Sequence, residues 1–244
     1  EEVLNKCMKD FGGFDHNIQT LRIVTYLEKK YYKFNGLNLT IETLDGLIKH
    51  NGPINNVLPY KRILNKDIFT GKINFKKFPS LEAQISNISD DIAYNNHDLE
   101  DGLRANLFKI RDLDSIPFVS KLIKKHYSKI KKYRREIIIS QIVRELINTM
   151  VLDVIKTTQN NLKKVNPKSI VDIYDHDSLI VDFSEKMKSI DKQIKNFLKN
   201  KMYNNKMVIL NTNRGKKIIS DLFNHLLKKH KKYIDKNFLK DEKK

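Results

Sequence analysis

Hydrophobic residues recur at helical spacing along most of the chain, and the breaks between these stretches divide it into helices. A first helix is predicted by Val3, Leu4, Cys7, Met8 and Phe11, and Gly12-Gly13 ends it. Residues 17–30 predict a second helix. Thr40 is a typical N-cap for a third helix, which extends through Ile48. Residues 53–79 show no helical period and are predicted to be irregular.

The segment after Pro79 carries the clearest amphipathic helix, predicted from Leu81 to about Leu99. Spacings of i, i+4, i+7 and i+11 predict one buried apolar stripe, made of Leu81, Ile85, Ile88 and Ile92. The opposite face carries acidic residues and a tyrosine: Asp90, Tyr94, Asp98 and Asp101. We expect this second face to line a polar cleft, with Asp90 at the inner end of the cleft.

The second half of the chain contains long stretches without helix-breaking residues. From Pro117 to Pro167 there is no other proline and no glycine, which predicts a long helical segment, interrupted near Arg134-Arg135. Imperfect alternation over residues 170–183 predicts a short strand or a loop. Further helices are predicted at 184–203 and 216–231, followed by a charged, frayed tail at 235–244. The pattern therefore predicts an all-α fold, with residues 1–244 forming a single helical domain.

The charge balance allows two interpretations. Lys and Arg number 47 against 29 Asp and Glu, which gives a net charge of +18. Such a charge can attract nucleic acid or nucleotide phosphates. The other interpretation is that the lysines simply cover solvated helix faces, and their wide scatter along the chain favours it. The single cysteine, Cys7, excludes an internal disulfide framework and fits a cytoplasmic protein. No apolar run approaches the roughly 20 residues that cross a bilayer, so no membrane partner is expected.

Candidate chemistry is concentrated between Ser89 and Gly102. Carboxylates at i, i+4 and i+8 share one helix face and can hold a divalent cation or a ribose hydroxyl. Spacing alone gives more weight to a solvated acidic face. His97-Asp98 and His176-Asp177 are short metal-binding signals, and the second lies outside the predicted helices, so we interpret it as a chance pair.

Other polar residues also have both a structural and a functional interpretation. Asn17 can cap a helix or bind a polar ligand. Lys49 can satisfy a helix C-terminus or bind phosphate. A lone histidine on a lysine-rich helix, such as His126, is predicted to lie on the surface. The sequence carries no P-loop, GxGxxG or CxxC motif, so the chemistries of those motifs have no sequence support.

Several motifs that are weak individually follow one another along the chain. They are Gly-Gly-Phe-Asp-His-Asn-x-Gln at 12–19, Lys-His-Asn-Gly-Pro at 49–53, Ser-Leu-Glu-Ala-Gln at 80–84 and Ser-Asp-Asp-Ile-Ala-Tyr-Asn-Asn-His-Asp at 89–98. Looser matches continue to the end, among them Met202-Tyr203. With these motifs the chain resembles the deoxyguanosinetriphosphate triphosphohydrolase-like family over nearly its whole length.

The resemblance implies an all-α, HD-domain-like helical bundle. It implies hydrolysis of dGTP or a related dNTP to a deoxynucleoside and triphosphate, with a divalent metal such as Mg²⁺ or Mn²⁺, by a homo-oligomer. Asp90 matches a metal ligand, Tyr94 the tyrosine that packs on the deoxyribose, and Asp98 the residue that reads the 3′-hydroxyl. Asn17 and Lys49 match substrate-pocket positions, and Glu1 matches a glutamate that acts in catalysis with a histidine.

The chain also departs from the family pattern. The family's remaining metal ligands and its catalytic histidine lie upstream of the position that Glu1 matches. We therefore expect a bundle that is incomplete at its N-terminus, is inactive alone and does not hold the metal. The alternative is a basic helical protein without catalysis, either a scaffold or a binder of single-stranded nucleic acid. Salt-sensitive binding to single-stranded DNA without dNTP binding would favour this alternative.

Overall fold

The computed structural model describes residues 1–63, 73–130 and 132–234, and the described residues form α-helices without β-strands. The helices are α1 (Glu2–Cys7), α2 (His16–Arg22), α3 (Ile41–Ile48), α4 (Leu58–Ile63), α5 (Leu81–Arg104), α6 (Pro117–Ile130), α7 (Arg135–Val165), α8 (Ile170–Tyr174), α9 (Glu185–Leu198), α10 (Lys206–Lys228) and α11 (His230–Tyr233). Short 3₁₀ or π turns occupy Lys9–Phe11, Ile23–Leu27, Ile110–Ser115 and Lys199–Tyr203. The predicted all-α fold is confirmed. None of the helices in the described ranges combines the length and apolarity that a membrane crossing requires.

Several helix ends lie where the local sequence signals place them. The Thr40 hydroxyl accepts a hydrogen bond from the Thr43 backbone N–H at 3.3 Å and caps α3. The Ser80 hydroxyl accepts one from the Ala83 N–H at 3.4 Å and caps α5. The predicted interruption near 134–135 is also confirmed, because α6 ends before it and α7 begins at Arg135. The predicted tail at 235–244 lies outside the described residues.

Three predicted elements differ from the structure. Residues 170–183, predicted to be a short strand or a loop, begin with the short helix α8 and continue as a loop. Gln84 holds this loop by accepting hydrogen bonds from two of its backbone N–H groups. Helix α10 begins well before residue 216, since the Asn205 side chain caps it by accepting from the Met207 N–H at 3.0 Å. Residues 53–79, predicted to be irregular, contain the short helix α4.

Two hydrophobic clusters form the core. The larger one joins α5, α6, α7 and α9, and its fully buried members include Leu99, Leu103, Ile123, Ile139, Leu146 and Ile194. The smaller one joins α2, α3 and α4, and contains Leu21, Leu44, Ile48, Tyr60, Ile73 and Phe75. Helix α3 also crosses α5, where a Cβ added at Gly46 would lie 3.0 Å from the Ala83 Cβ.

The predicted apolar stripe of α5 is wrong at Ile85 and only partly buried at two other positions. Of its four residues only Ile92 is buried; Leu81 and Ile88 are half-buried against the larger cluster, and Ile85 is 50% exposed. The buried face of α5 contains Ile92, Leu99 and Leu103, and it also contains polar residues that contact α7 and α9. The Asn95 side chain donates to the Asp191 carboxylate on α9 at 3.0 Å. Asn96, which has no exposed surface, lies 3.2 Å from the Met150 sulfur on α7.

Candidate functional site

Helix α5 presents Asp90, Tyr94 and Asp98 on successive turns, as their spacing requires. The Asp90 side chain is 71% exposed, Tyr94 is 60% exposed, and Asp98 is half-buried. The prediction that Asp90 lies at the inner end of a cleft is wrong for this chain, since the described residues leave it open to solvent. His50, at the end of α3, brings its Nε2 to 3.9 Å from an Asp90 carboxylate oxygen.

Asp98 is held by a residue that the sequence did not single out as a site residue. The Tyr203 hydroxyl, in the π turn after α9, donates a hydrogen bond to the Asp98 carboxylate. Burial, together with that bond and the nearby charge of Asp98, raises the pKa of Tyr203 far above its ordinary value, with a smaller contribution from Tyr94. The phenol therefore stays protonated at neutral pH and keeps its role as donor. The looser motif match at Met202-Tyr203 was the only sequence signal for this residue.

Lys49 is buried at the C-terminal end of α3, next to α5. Its ammonium forms an ion pair with Asp45 at 2.7 Å and lies 5.8 Å from the centre of the Tyr174 ring. Burial raises the pKa of the Asp45 carboxyl, and the hydrogen bond and charge of Lys49 oppose that rise. Lys49 therefore neither caps the helix as an exposed lysine nor presents a free charge to a phosphate. Its charge is neutralised inside the fold by Asp45, one turn earlier.

A cavity of about 520 Å³ lies between the end of α3, α5, the loop before α9 and α9 itself. Lys49, Asp91 and Lys188 are among its lining residues, whereas Asp90, Tyr94 and Asp98 are not. The cavity's lysines have acidic partners, since Lys188 bonds Asp182 at 2.6 Å as Lys49 bonds Asp45. The cavity and the Asp90 face therefore occupy neighbouring sides of one helix and do not form one pocket.

The start of the chain forms a small polar cluster at the N-terminus of α2. A Glu1 carboxylate oxygen lies 3.0 Å from His16 Nδ1, and the His16 backbone N–H donates to the other oxygen at 3.2 Å. These hydrogen bonds lower the pKa of Glu1. Asp15, not Asn17, caps α2 by accepting from the Ile18 N–H at 3.0 Å. Asn17 lies in the first turn of α2 and is half-buried.

The residues around Asp90 do not form a metal site by themselves. In the described part of the chain, a group of three potential donors within 4.8 Å of one another occurs only at Glu1, Asp15 and His16, all of them exposed. Asp90 belongs to no such group, and the same holds for His176. A stable site needs three or more protein ligands. A metal at Asp90 would need further ligands from outside the described residues.

Comparisons with known proteins show what the chain is similar to. Residues 181–244 match a phosphohydrolase-associated domain. The chain is 53% identical over 242 residues to a deoxyguanosinetriphosphate triphosphohydrolase-like protein of Pelagibacter ubique, a match that covers 99% of this chain and 65% of that relative. Proteins with the same description from Parvibaculum lavamentivorans and Bartonella henselae are 40% and 43% identical, over 93% and 91% of this chain and 58% and 57% of their own length.

These matches confirm the resemblance over nearly the whole chain. The chain spans less than two thirds of the length of these curated relatives.

Proposed function

We propose that this chain, a relative of the deoxyguanosinetriphosphate triphosphohydrolase-like proteins along 99% of its length, is the sugar-binding part of a metal-dependent dNTP triphosphohydrolase. The reaction is hydrolysis of the ester between the sugar and the α-phosphate, which releases a deoxynucleoside and inorganic triphosphate. The observation that supports it best is the Asp98–Tyr203 pair beside the exposed Tyr94 ring, because a carboxylate fixed next to an aromatic ring suits a sugar.

The geometry suits a deoxyribose in two ways. The exposed ring of Tyr94 offers an apolar face on which the sugar can pack. The Asp98 carboxylate accepts from Tyr203 on one side and retains free lone pairs for the 3′-hydroxyl of the substrate. Because Tyr203 is a fixed donor, the carboxylate is oriented before the sugar arrives, which reduces the ordering cost of binding.

The other site residues have proposed roles that depend on polypeptide this chain does not span. Asp90 is proposed as one ligand of a divalent metal such as Mg²⁺ or Mn²⁺, with the other ligands supplied from upstream. Glu1 is proposed to act with a histidine from the same upstream part. Asn17 and Lys49 are proposed to line the substrate pocket, and Lys49 would have to exchange Asp45 for a phosphate in order to bind one.

Product analysis tests the reaction. The chain alone, and the chain joined at Glu1 to the part of the Pelagibacter relative that lies outside the match, are incubated with dGTP and Mn²⁺. We expect deoxyguanosine and triphosphate from the joined protein and no turnover from the chain alone. Pyrophosphate or single phosphates as products would exclude the proposed reaction, and turnover by the chain alone would refute its incompleteness.

A pair of variants tests the sugar site in the joined protein. Asp98→Asn should raise KM for dGTP by about tenfold or more, since a charge-assisted hydrogen bond to the substrate is lost. Glu185→Gln is the matched control, because the Glu185 side chain is 89% exposed at the far end of α9 from the π turn of Tyr203. An unchanged KM in the Asp98 variant would remove Asp98 from the sugar site.

A further inference from the structure

Helix α10 is a long helix that the described fold leaves largely uncovered. It extends over 23 residues, and none of them is buried. Its exposed apolar residues include Ile218, Ile219, Leu222 and Leu226, which are 58%, 42%, 53% and 38% exposed. We call these four residues the α10 stripe. Isolated exposed apolar side chains are ordinary, but a continuous set along one helix indicates an interaction surface.

The α10 stripe forms one continuous surface. At 3.6 residues per turn its four members fall within a sector of about 100°. Gly215 lies in the same sector, and a Cβ added there would meet nothing within 4 Å. The side of α10 that carries the stripe therefore has open space above a glycine, which lets a second backbone approach closely.

Helix α1 shows how α10 receives a neighbouring helix. Lys216 bonds the Glu2 carboxylate at 2.8 Å, and the Ser220 hydroxyl lies 3.9 Å from the Cys7 sulfur. Lys216 and Ser220 lie roughly 110° and 150° around the helix from the centre of the stripe. Helix α1 therefore covers one flank of α10 and leaves the α10 stripe open beside it.

Charge argues against a second copy of this chain as the occupant. Helix α10 carries five basic residues against one acidic residue, Asp221, which bonds Lys217 at 2.9 Å. Arg214 and Lys228 lie on one side of the stripe, and the chain as a whole has a net charge of +18. Two copies facing each other through α10 would bring like charges together. A helix with an apolar face and acidic flanks would match both features of this surface.

We propose that the α10 stripe is the docking site for an amphipathic, acidic-flanked helix from the polypeptide that the relatives possess and this chain does not span. The relatives extend well beyond this chain, which covers 57% to 65% of their lengths. Helix α10 lies within the 181–244 segment that matches a phosphohydrolase-associated domain. The docking site rests on the proposed function in one respect, which is that the occupying helix is taken to come from the part of those relatives that this chain does not span.

Cysteine labelling tests the docking site. In a Cys7→Ser background, Leu222→Cys is compared with Leu152→Cys, a matched control that is 56% exposed on α7. Each is labelled with a maleimide in the chain alone and in the chain joined at Glu1 to the unmatched part of the Pelagibacter relative. We expect labelling of the Leu222→Cys variant to slow at least tenfold in the joined protein, and that of the Leu152→Cys variant to stay unchanged.

Three results would overturn the docking site. Equal labelling of the Leu222→Cys variant in both proteins would show that nothing covers the stripe. Slow labelling of the control as well would indicate general burial rather than docking. Protection of Leu222→Cys in the chain alone that disappears on dilution would identify a second copy as the occupant. If the joined protein hydrolyses dGTP but Leu222→Cys is labelled at the same rate as in the chain alone, the proposed function stands and the docking site does not. If Leu222→Cys is protected from labelling but dGTP is not hydrolysed, the docking site stands and the proposed function does not.

Discussion

Replacing Gln84 tests how the fold holds the loop before α9. Gln84 is 3% exposed, and its side-chain oxygen accepts hydrogen bonds from the backbone N–H groups of Ile180 at 2.9 Å and Val181 at 3.1 Å. Its amide nitrogen donates to the Pro79 carbonyl at 2.9 Å. One side chain therefore satisfies three backbone groups from two segments that are distant in sequence.

The expected cost follows from these three bonds. Gln84→Met preserves most of the side-chain volume but removes the bonds, leaving the N–H groups of Ile180 and Val181 buried without partners. An unsatisfied buried donor or acceptor costs about 1–3 kcal/mol. Because the loop can shift to admit some water, we expect a total loss of about 3 kcal/mol in the free energy of unfolding. For a chain of this size that lowers Tm by roughly 6–12 °C.

Urea unfolding followed by circular dichroism measures this difference. Ser86→Ala, at an exposed position half a turn along α5, is the control and should change stability by less than about 0.5 kcal/mol. Gln84→Glu should also destabilise the protein, because a buried carboxylate can accept from the loop but cannot donate to Pro79. A loss of less than about 0.5 kcal/mol in Gln84→Met would refute the hydrogen-bond argument.

Three further outcomes can be measured directly. Gly102→Ala should destabilise by about 1–3 kcal/mol in urea, since its Cβ would lie 2.2 Å from the buried Phe108 ring, and an unchanged midpoint would contradict this packing. In the joined protein Tyr203→Phe should raise KM for dGTP with folding intact, and unaltered kinetics would argue against its role. Hydrogen bonds and charges of Lys216 and Lys6 lower the pKa of Glu2 to about 2. Carbon NMR should therefore show Glu2 ionised above that pH, and acidification through pH 2 should loosen α1.

The arrangement of the candidate residues on α5 was predictable, whereas their setting was not. Local spacing on α5 placed Asp90, Tyr94 and Asp98 on one side, and the motif order led to a family that the comparisons confirm. Their surroundings were not predictable, because exposure depends on which distant segment covers a face. The expected cleft around Asp90 is open in this chain, and the partner of Asp98, Tyr203, is far away in sequence.

Sequence alone determined most of the longer helices, because helix formation depends on contacts three or four residues apart and on capping groups next to each end. Thr40 is a cap that the sequence identified and the structure bears out. Tertiary structure alone decided burial. Predicted to be a surface residue, His126 is buried and bonds Glu145 on α7 at 2.9 Å, whereas Ile85, predicted to be buried, is half exposed. Periodicity marks which face of a helix is apolar, but only the packing of other helices determines how far that face is covered.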